Sequence, residues 1–272
     1  MTAASAIAGI KPLALEIGGT AVALHTDDPE FHRLLVQRYN GFITSSQPQQ
    51  LELEVELIKP VAVGDLDRDL EVTLRGQDWF LQRGDFHARW NPASGQGIVR
   101  QLSSPYAIDS VLRIIHSLVL ADQGGFLLHA ASALRGCRAF LFTGISGAGK
   151  TTIARLAPAE ATLLSDEISY VVRKEGKYFA CGTPFSGELA RAGQNVSAPI
   201  QSVFLLNKGP DNRTEDIDRS EALRSILRNM LFFAQDQSLV RRVFDSACEF
   251  VNQVPVRRLT FFPDERVWNI IA

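Results

Sequence analysis

The chain has 272 residues, of which 46% are hydrophobic and 21% are charged, as expected for one large globular domain or two ordinary ones. Its net charge of −2 gives no support for a nucleic-acid or membrane partner, and no apolar run is long enough to span a bilayer. Its 3 cysteines contain no CxxC pair, which argues against a disulfide framework or a zinc site. The first ten residues lack the basic region of a signal peptide, so we expect a cytoplasmic protein.

The amino-terminal part of the chain predicts a β-rich domain. Between residues 51 and 58, leucine and valine alternate with glutamate, which is typical of a half-buried antiparallel strand. Apolar runs with turn residues between them predict a helix at 29–39 and further strands at 70–74, 79–83 and 86–90. We assign residues 1–103 to a β-rich α+β domain with a recognition or packing role. Its acidic strand face is expected to be solvated, with a basic partner as the alternative.

A second domain is predicted to begin near residue 104. The segment 91–104 is rich in Pro, Gly and Ser, which is typical of a domain boundary. Apolar residues then recur at helical spacing over 105–121, and an apolar strand follows at 126–134. Later apolar stripes predict two more helices and a last strand, which serve the core. We therefore assign residues 104–272 to an α/β domain.

The motif that dominates this second domain is the segment 144–151, with the sequence GISGAGKT. It fits the phosphate-binding loop pattern of glycine, four residues and then Gly-Lys-Thr. A short apolar strand precedes it, and a short helix before Pro158 follows it, as the motif requires. A glycine-rich turn that matches by chance is the alternative, and the order of strand, loop and helix argues against it.

The chemistry of phosphate binding explains these residue types. Glycines allow the backbone to curl so that many N–H groups meet one polyphosphate, and the helix N-terminus adds partial positive charge. Lys150 is expected to reach the β- and γ-phosphates, and the Thr151 hydroxyl to bind Mg²⁺. The predicted nucleotide-binding residues are Gly144, Ile145, Ser146, Gly147, Ala148, Gly149, Lys150, Thr151 and Thr152.

Three more residues are candidates for the same chemistry. Asp166 and Glu167 follow a short apolar strand downstream of the loop, where one carboxylate can hold the metal and the other can take a proton from an incoming hydroxyl. His129 lies one strand upstream of the loop. It is either a hydrogen-bonded core residue or a group that donates to, or moves a proton near, the γ-phosphate.

A polar loop at 182–191 carries a further candidate. Its Arg191 is of the residue type that stabilises charge on a transferring phosphoryl group. A surface loop with a helix cap explains the same residues, and the sequence does not separate the two interpretations.

The strand with His129, the loop 144–151 and the pair Asp166-Glu167 together resemble the catalytic domain of HPr serine kinase and its relatives. The resemblance covers about residues 105–270. It implies a fold of the HPr kinase and phosphoenolpyruvate carboxykinase type, with ATP and Mg²⁺ as cofactors. It also implies that Lys150 and Thr151 serve the nucleotide and the metal, that Asp166 accepts the proton of a substrate serine, and that His129 lies beside the phosphoryl group.

This chain departs from that family at two points. HPr kinases usually carry two aspartates where this chain has Asp166-Glu167, which weakens the metal-ligand assignment of Glu167. The glycine-rich signature of their reverse, phosphorylase activity is absent from the sequence. The chain therefore resembles a divergent branch of one-way kinases, similar to the HPr-kinase-like enzymes of lasso peptide and related biosynthesis.

These observations predict an ATP-dependent kinase that phosphorylates a serine of a protein or of a ribosomally made precursor peptide. The proposed catalytic residues are Asp166, His129, Lys150 and Arg191, and the proposed metal ligands are Thr151, Asp166 and Glu167. A small-molecule kinase and a nucleotide-regulated binding protein without transferase activity remain as alternatives. The sequence leaves open the acceptor, the choice between ATP and GTP, the choice between serine and threonine, and homo-oligomer formation.

Overall fold

A computed structural model of the protein describes residues 10–45, 50–59 and 68–271. The chain divides into two compact units, Met1–Val111 and Leu112–Ala272. The first nine residues, on which most of the signal-peptide argument rests, lie outside the described residues. Both units contain a mixed sheet with few helices, so the coarse prediction of a mixed α/β chain is confirmed.

The first unit is built on one sheet. Its described elements are β1 (Leu13–Ile17), β2 (Thr20–His25), α1 (Pro29–Arg38), β3 (Leu51–Leu57), β4 (Glu71–Arg75), β5 (Asp78–Arg83), β6 (Phe86–Trp90) and β7 (Gln96–Gln101). Among the described residues, the seven strands lie in the order β1-β2-β3-β7-β6-β5-β4. The helix begins at an Asp28 cap, whose carboxylate accepts from the N–H groups of Glu30 and Phe31.

Strand β3 shows both the strength and the limit of the alternation pattern. Leu51, Leu53 and Val55 are buried, and the intervening glutamates are exposed, as predicted. The prediction of an antiparallel strand is wrong, because β3 pairs in parallel with both β2 and β7. Alternation reports which face is buried, whereas strand direction is set by the connections, which the pattern does not encode.

The segment 91–104 is also more ordered than its composition indicates. It contains β7, which is paired on both sides, with β3 and with β6. Asn91 starts a turn by accepting from the N–H groups of Ala93 and Ser94, and Gly95 adopts a positive φ of 74°. The turn residues therefore return the chain into the sheet, and Val99 is fully buried there.

The second unit contains the longer helices. Its elements are α2 (Pro105–Asp122), within which the division between units falls, β8 (Phe126–Arg135), β9 (Arg138–Thr143), α3 (Lys150–Arg155), β10 (Thr162–Ser165), β11 (Ile168–Lys174), β12 (Lys177–Cys181), β13 (Ser197–Lys208), β14 (Arg213–Asp216), α4 (Arg219–Asn229), β15 (Met230–Leu231), α5 (Gln237–Gln253) and β16 (Val256–Phe261). Of the helices that the structure describes, none has the length and apolarity that would carry it across a bilayer.

Strand β8 is the centre of this unit because it is paired along both edges. On one edge its first half pairs with β11 and its second half with β10. On the other edge it pairs with β15 and then with β9. The chain between β10 and β11 consists of Asp166 and Glu167 alone, and both therefore lie at the break between two strands that share one edge of β8.

The strand that precedes the glycine loop lies next to two partners. β9 is antiparallel to β8 and parallel to β13, and β13 in turn is parallel to β16. Phe142 of β9 stacks on Phe204 of β13 and meets the ring of Trp268 edge-on. The Trp268 indole N–H donates to the carbonyl of Ile153, which ties the short helix α3 to this apolar layer.

One buried residue of α2 makes the stability of this unit dependent on pH. His116 is fully buried, and neither of its ring nitrogens has a hydrogen-bond partner among the described residues. Its ring lies 5.2 Å from the ring of Tyr170. Burial lowers the pKa of His116 to about 3, so the folded protein holds this side chain neutral.

We expect the free energy of unfolding of this unit to fall as the pH drops from about 6.5 towards 3. In that range the unfolded chain binds a proton on His116 that the folded chain does not, which costs about 1.4 kcal/mol per pH unit. The substitution His116→Leu should remove this part of the slope. The measurement is hydrogen exchange of the β8 amides in urea at several pH values, and equal slopes in both proteins would contradict the assignment.

Candidate functional site

The backbone of the glycine loop has dihedral angles that favour glycine at three positions. Gly144, Gly147 and Gly149 all have positive φ angles, of 152°, 76° and 108°. Side chains other than hydrogen are strained in this region of backbone space, and this accounts for glycine at all three positions. A Cβ on Gly149 would also lie 2.7 Å from the ring of Phe261, so at this position glycine is required by packing as well.

Lys150 places a charged group inside this loop. Its side chain is buried, and its Nζ donates to the carbonyl oxygens of Gly144 at 3.0 Å and Ile145 at 3.3 Å. Burial lowers the pKa of Lys150, and the charges of Glu188 and Glu167 partly oppose that shift. A partly desolvated ammonium bonded only to neutral oxygens gains much from an anion, so the loop suits a phosphate.

His129 lies beside the start of the loop because of the register of β8. Ala130 is opposite Thr143, which puts His129 next to Gly144, and the Thr143 hydroxyl donates to the His129 carbonyl at 2.8 Å. The side chain is about half buried. Burial and then the charge of Lys150 lower the pKa of His129, against a smaller opposing effect of Glu167. The imidazole is therefore neutral near pH 7 and can donate one hydrogen bond.

The acidic pair lies on the opposite edge of β8 from the loop. The N–H of Ala130 donates to the carbonyl of Glu167, and Ile168 is opposite His129. The acidic pair and β9 are therefore separated by two inter-strand distances, or about 10 Å. His129 lies between them on the central strand. This spacing leaves room for a ligand between the loop and the carboxylates.

Asp166 is held by the 182–191 loop rather than left free. It is buried, its Oδ1 accepts from the N–H of Gly187 at 2.8 Å, and its Oδ2 accepts from the N–H of Leu189 at 2.9 Å. A Cβ on Gly187 would come within 2.9 Å of the Glu167 Cβ. The carboxylate orientation and the path of this loop are therefore determined together.

Glu167 is oriented from helix α2. Its Oε2 lies 3.5 Å from the Arg113 Nη2, and the Arg113 guanidinium carbon lies 4.9 Å from the centre of the Phe185 ring. Both side chains of the ion pair are partly exposed, so the pair contributes orientation more than stability. The sequence analysis missed Arg113, and no motif signals it, because only the packing of α2 brings it to Glu167.

A cavity of about 350 Å³ collects most of the predicted residues. Its lining is His129, Ser146, Gly147, Gly149, Lys150, Thr151, Thr152, Asp166, Glu167, Gly187, Glu188 and Lys208. Gly144, Ile145 and Ala148 are predicted residues that do not line it; Ile145 is exposed on the loop, and Ala148 packs into the core beneath it. Gly187, Glu188 and Lys208 line the cavity without having been predicted as site residues.

Arg191 is the predicted catalytic residue that the structure does not bring to this cavity. It lines a different cavity of about 340 Å³ together with Leu189 and Arg155. The backbone from Gly187 to Leu189, which Asp166 holds, contributes residues to both cavities.

The oxygen atoms in the cavity that contains Lys150 suit a Mg²⁺ ion bound together with phosphates. Among the described residues there is no cluster of three or more His, Cys, Asp or Glu that could hold a metal alone. Mg²⁺ in nucleotide sites needs only one or two carboxylates, because phosphates and water complete its shell. Thr151 and Glu167 supply such oxygen ligands. Asp166 already accepts two N–H groups, and its remaining lone pairs are free for a metal or a proton.

We expect Gly149→Ala to destabilise the second unit more than Gly147→Ala. Both changes put a Cβ on a backbone with positive φ, which costs about 1 kcal/mol, but only the first also drives it into the Phe261 ring. The expected loss is about 1 kcal/mol for Gly147→Ala and at least 2 kcal/mol for Gly149→Ala. Urea unfolding of the two variants checks the order, and equal losses would contradict it.

We expect Asp166→Asn to loosen the 182–191 loop. An amide keeps one acceptor oxygen but presents an NH₂ group to the second backbone N–H, so one of the two bonds is lost. Residue-resolved hydrogen exchange at Gly187 and Leu189 should become about tenfold faster. The matched control is Glu167→Gln, which leaves both bonds in place and should not change the exchange of these amides.

Comparison of the chain with known proteins identifies its family. A family model described as "SynChlorMet cassette protein ScmC" matches residues 103–272, and no curated protein matches the chain. One similar solved structure is the Hpr(Ser) kinase/phosphatase from Coxiella burnetii, at 13% identity and a TM-score of 0.24, over 45% of this chain and 87% of that one. This similarity is distant. By the family match, which covers more than half of its length, the chain belongs to the ScmC family of SynChlorMet cassette proteins.

Proposed function

We propose that this protein is a kinase that transfers the γ-phosphoryl group of ATP to a serine hydroxyl of a protein or peptide. The observation that carries the proposal is the buried ammonium of Lys150 in a curled glycine loop, in one cavity with His129 and two carboxylates. Phosphoryl transfer needs this combination of anion-binding donors, hard oxygen ligands and a proton acceptor.

The loop supplies the binding of the phosphates. The loop residues that line the cavity are Ser146, Gly147, Gly149, Lys150, Thr151 and Thr152, and their backbone N–H groups would bind phosphate oxygens. Lys150 can exchange its carbonyl partners for phosphate oxygens. The Thr151 hydroxyl and Glu167 would hold Mg²⁺. When bound, this ion neutralises charge on the phosphates. His129, neutral near pH 7, would donate a hydrogen bond to the transferring group.

Asp166 is assigned to the acceptor. Its carboxylate takes the proton of the serine hydroxyl, the serine oxygen forms a bond to the γ-phosphorus, and the bond from that phosphorus to the bridging oxygen breaks to release ADP. The two backbone N–H groups keep the carboxylate in one orientation, which favours transfer in a fixed geometry. We give no role in this step to Arg191, because it lines the other cavity.

A nucleotide-regulated binding protein is the second candidate, and one observation favours it. Both carboxylates of the acidic pair already have protein partners, Asp166 in the 182–191 loop and Glu167 at Arg113. A site built for binding alone could use these contacts to transmit nucleotide binding to the loop. In that case ATP binds and no phosphoryl group is transferred.

The acceptor is proposed to be a protein or peptide encoded near this chain. The family is described as a cassette protein, so the products of neighbouring genes are the first acceptors to test. The choice of serine as the acceptor, rather than threonine or a small molecule, rests on the resemblance described in the sequence analysis. A panel of small metabolites serves as the competing set of acceptors.

The decisive measurement is transfer of labelled γ-phosphate from MgATP to these acceptors. We expect the wild-type protein to label one of them and Lys150→Ala to lose ATP binding. Asp166→Asn should keep ATP binding and lose about a thousandfold in transfer rate. Asp216→Asn serves as the matched control, because it makes the same carboxylate-to-amide change at an exposed residue of β14, outside the cavity. It should retain much more transfer than Asp166→Asn.

Two results would contradict the proposal. Tight binding of ATP without transfer to any acceptor would favour the binding protein. Transfer by Asp166→Asn at the wild-type rate would remove this carboxylate from the chemistry, even if the kinase activity itself were real.

A further inference from the structure

We propose that Lys208 is a second phosphate-binding lysine, which contacts the terminal phosphate of the bound triphosphate and makes the site prefer ATP to ADP. This inference rests on the proposed function, since it assigns a residue to the same nucleotide site. Lys208 is the last residue of β13, and it lines the cavity that contains Lys150, Thr151 and His129.

The sheet register brings the end of β13 to the glycine loop. β13 is parallel to β9, and Leu205 is opposite Thr143, the residue before the loop. A Cβ on Gly144 would lie 3.5 Å from the carbonyl oxygen of Leu206, so the loop begins against the backbone of this strand. Lys208 follows two residues later, beyond the point where β9 has ended.

The alternation of β13 directs the Lys208 side chain over the loop. Phe204 and Leu206 pack into the same core layer as Ala148 of the loop, whereas Val203 and Leu205 belong to the core on the other face. Side chains two residues apart share a face of a strand. Lys208 therefore continues the face of Phe204 and Leu206, on which the loop lies.

The ammonium group of Lys208 is available to bind an anion in the cavity. It is exposed, and its side-chain ammonium has neither a hydrogen bond nor an ion pair within the described part of the chain. The other lysine of the lining, Lys150, donates to Gly144 and Ile145 at the start of the loop, which is the end nearest to β13. The loop lysine of such sites reaches the β- and γ-phosphates, so a second ammonium at this end meets the terminal phosphate.

The test compares the binding of MgATP and MgADP by titration calorimetry in the wild type, Lys208→Gln, Lys208→Arg and Lys177→Gln. We expect Lys208→Gln to weaken ATP binding by about tenfold and ADP binding by less than about threefold, because only ATP carries the terminal phosphate. Lys208→Arg keeps the charge and should retain most of the ATP preference. Lys177, an exposed lysine in β12, is the control and should change neither affinity.

Two other outcomes for Lys208→Gln would overturn the inference. Unchanged ATP binding in Lys208→Gln removes Lys208 from the site, and an equal loss for ATP and ADP places its contact away from the terminal phosphate. Either result leaves the proposed kinase intact if Lys150→Ala still abolishes binding. A wild-type protein that binds neither nucleotide overturns the proposed function together with this inference.

Discussion

The arrangement of the site depends on one strand that is hydrogen-bonded along both edges. β8 pairs with β9 on one side and with β10 and β11 on the other. The strand before the glycine loop and the two strands that flank the acidic pair are therefore all hydrogen-bonded to β8. His129 lies on β8 between the loop and the pair. Because a ladder of backbone hydrogen bonds does not slide without breaking many bonds at once, the separation of the two groups is rigid.

The burial of charged side chains in the site costs the folded state free energy. Lys150 is partly desolvated and bonded only to carbonyl oxygens, while Asp166 is buried and bonded to two N–H groups. Buried charged groups with incomplete pairing cost free energy, and a ligand of the right charge relieves that cost. An anion bound near Lys150 would relieve part of that cost, which supports the nucleotide site proposed above.

Much of the fold could be predicted from local pattern. The two faces of β3 follow from residue types alone, because the burial pattern acts over a few residues. The direction of β3 and the strand character of β7 could not be predicted, since both depend on pairing with strands distant in sequence. The same limit applies to the site. The loop is a contiguous motif, but Arg113 and Lys208 reach it from a helix and a strand that carry no signature.

The sequence by itself determined that this chain carries a glycine loop with the pattern of glycine, four residues and then Gly-Lys-Thr, together with an acidic pair after one strand and a histidine within another. These features depend on the order and type of adjacent residues. Only the tertiary structure decided that Asp166 is held by the loop containing Gly187, that Lys208 lines the same cavity as the glycine loop and that Arg191 lines a separate cavity. Those outcomes follow from sheet register and strand order, which arise from hydrogen bonds between segments far apart in the chain.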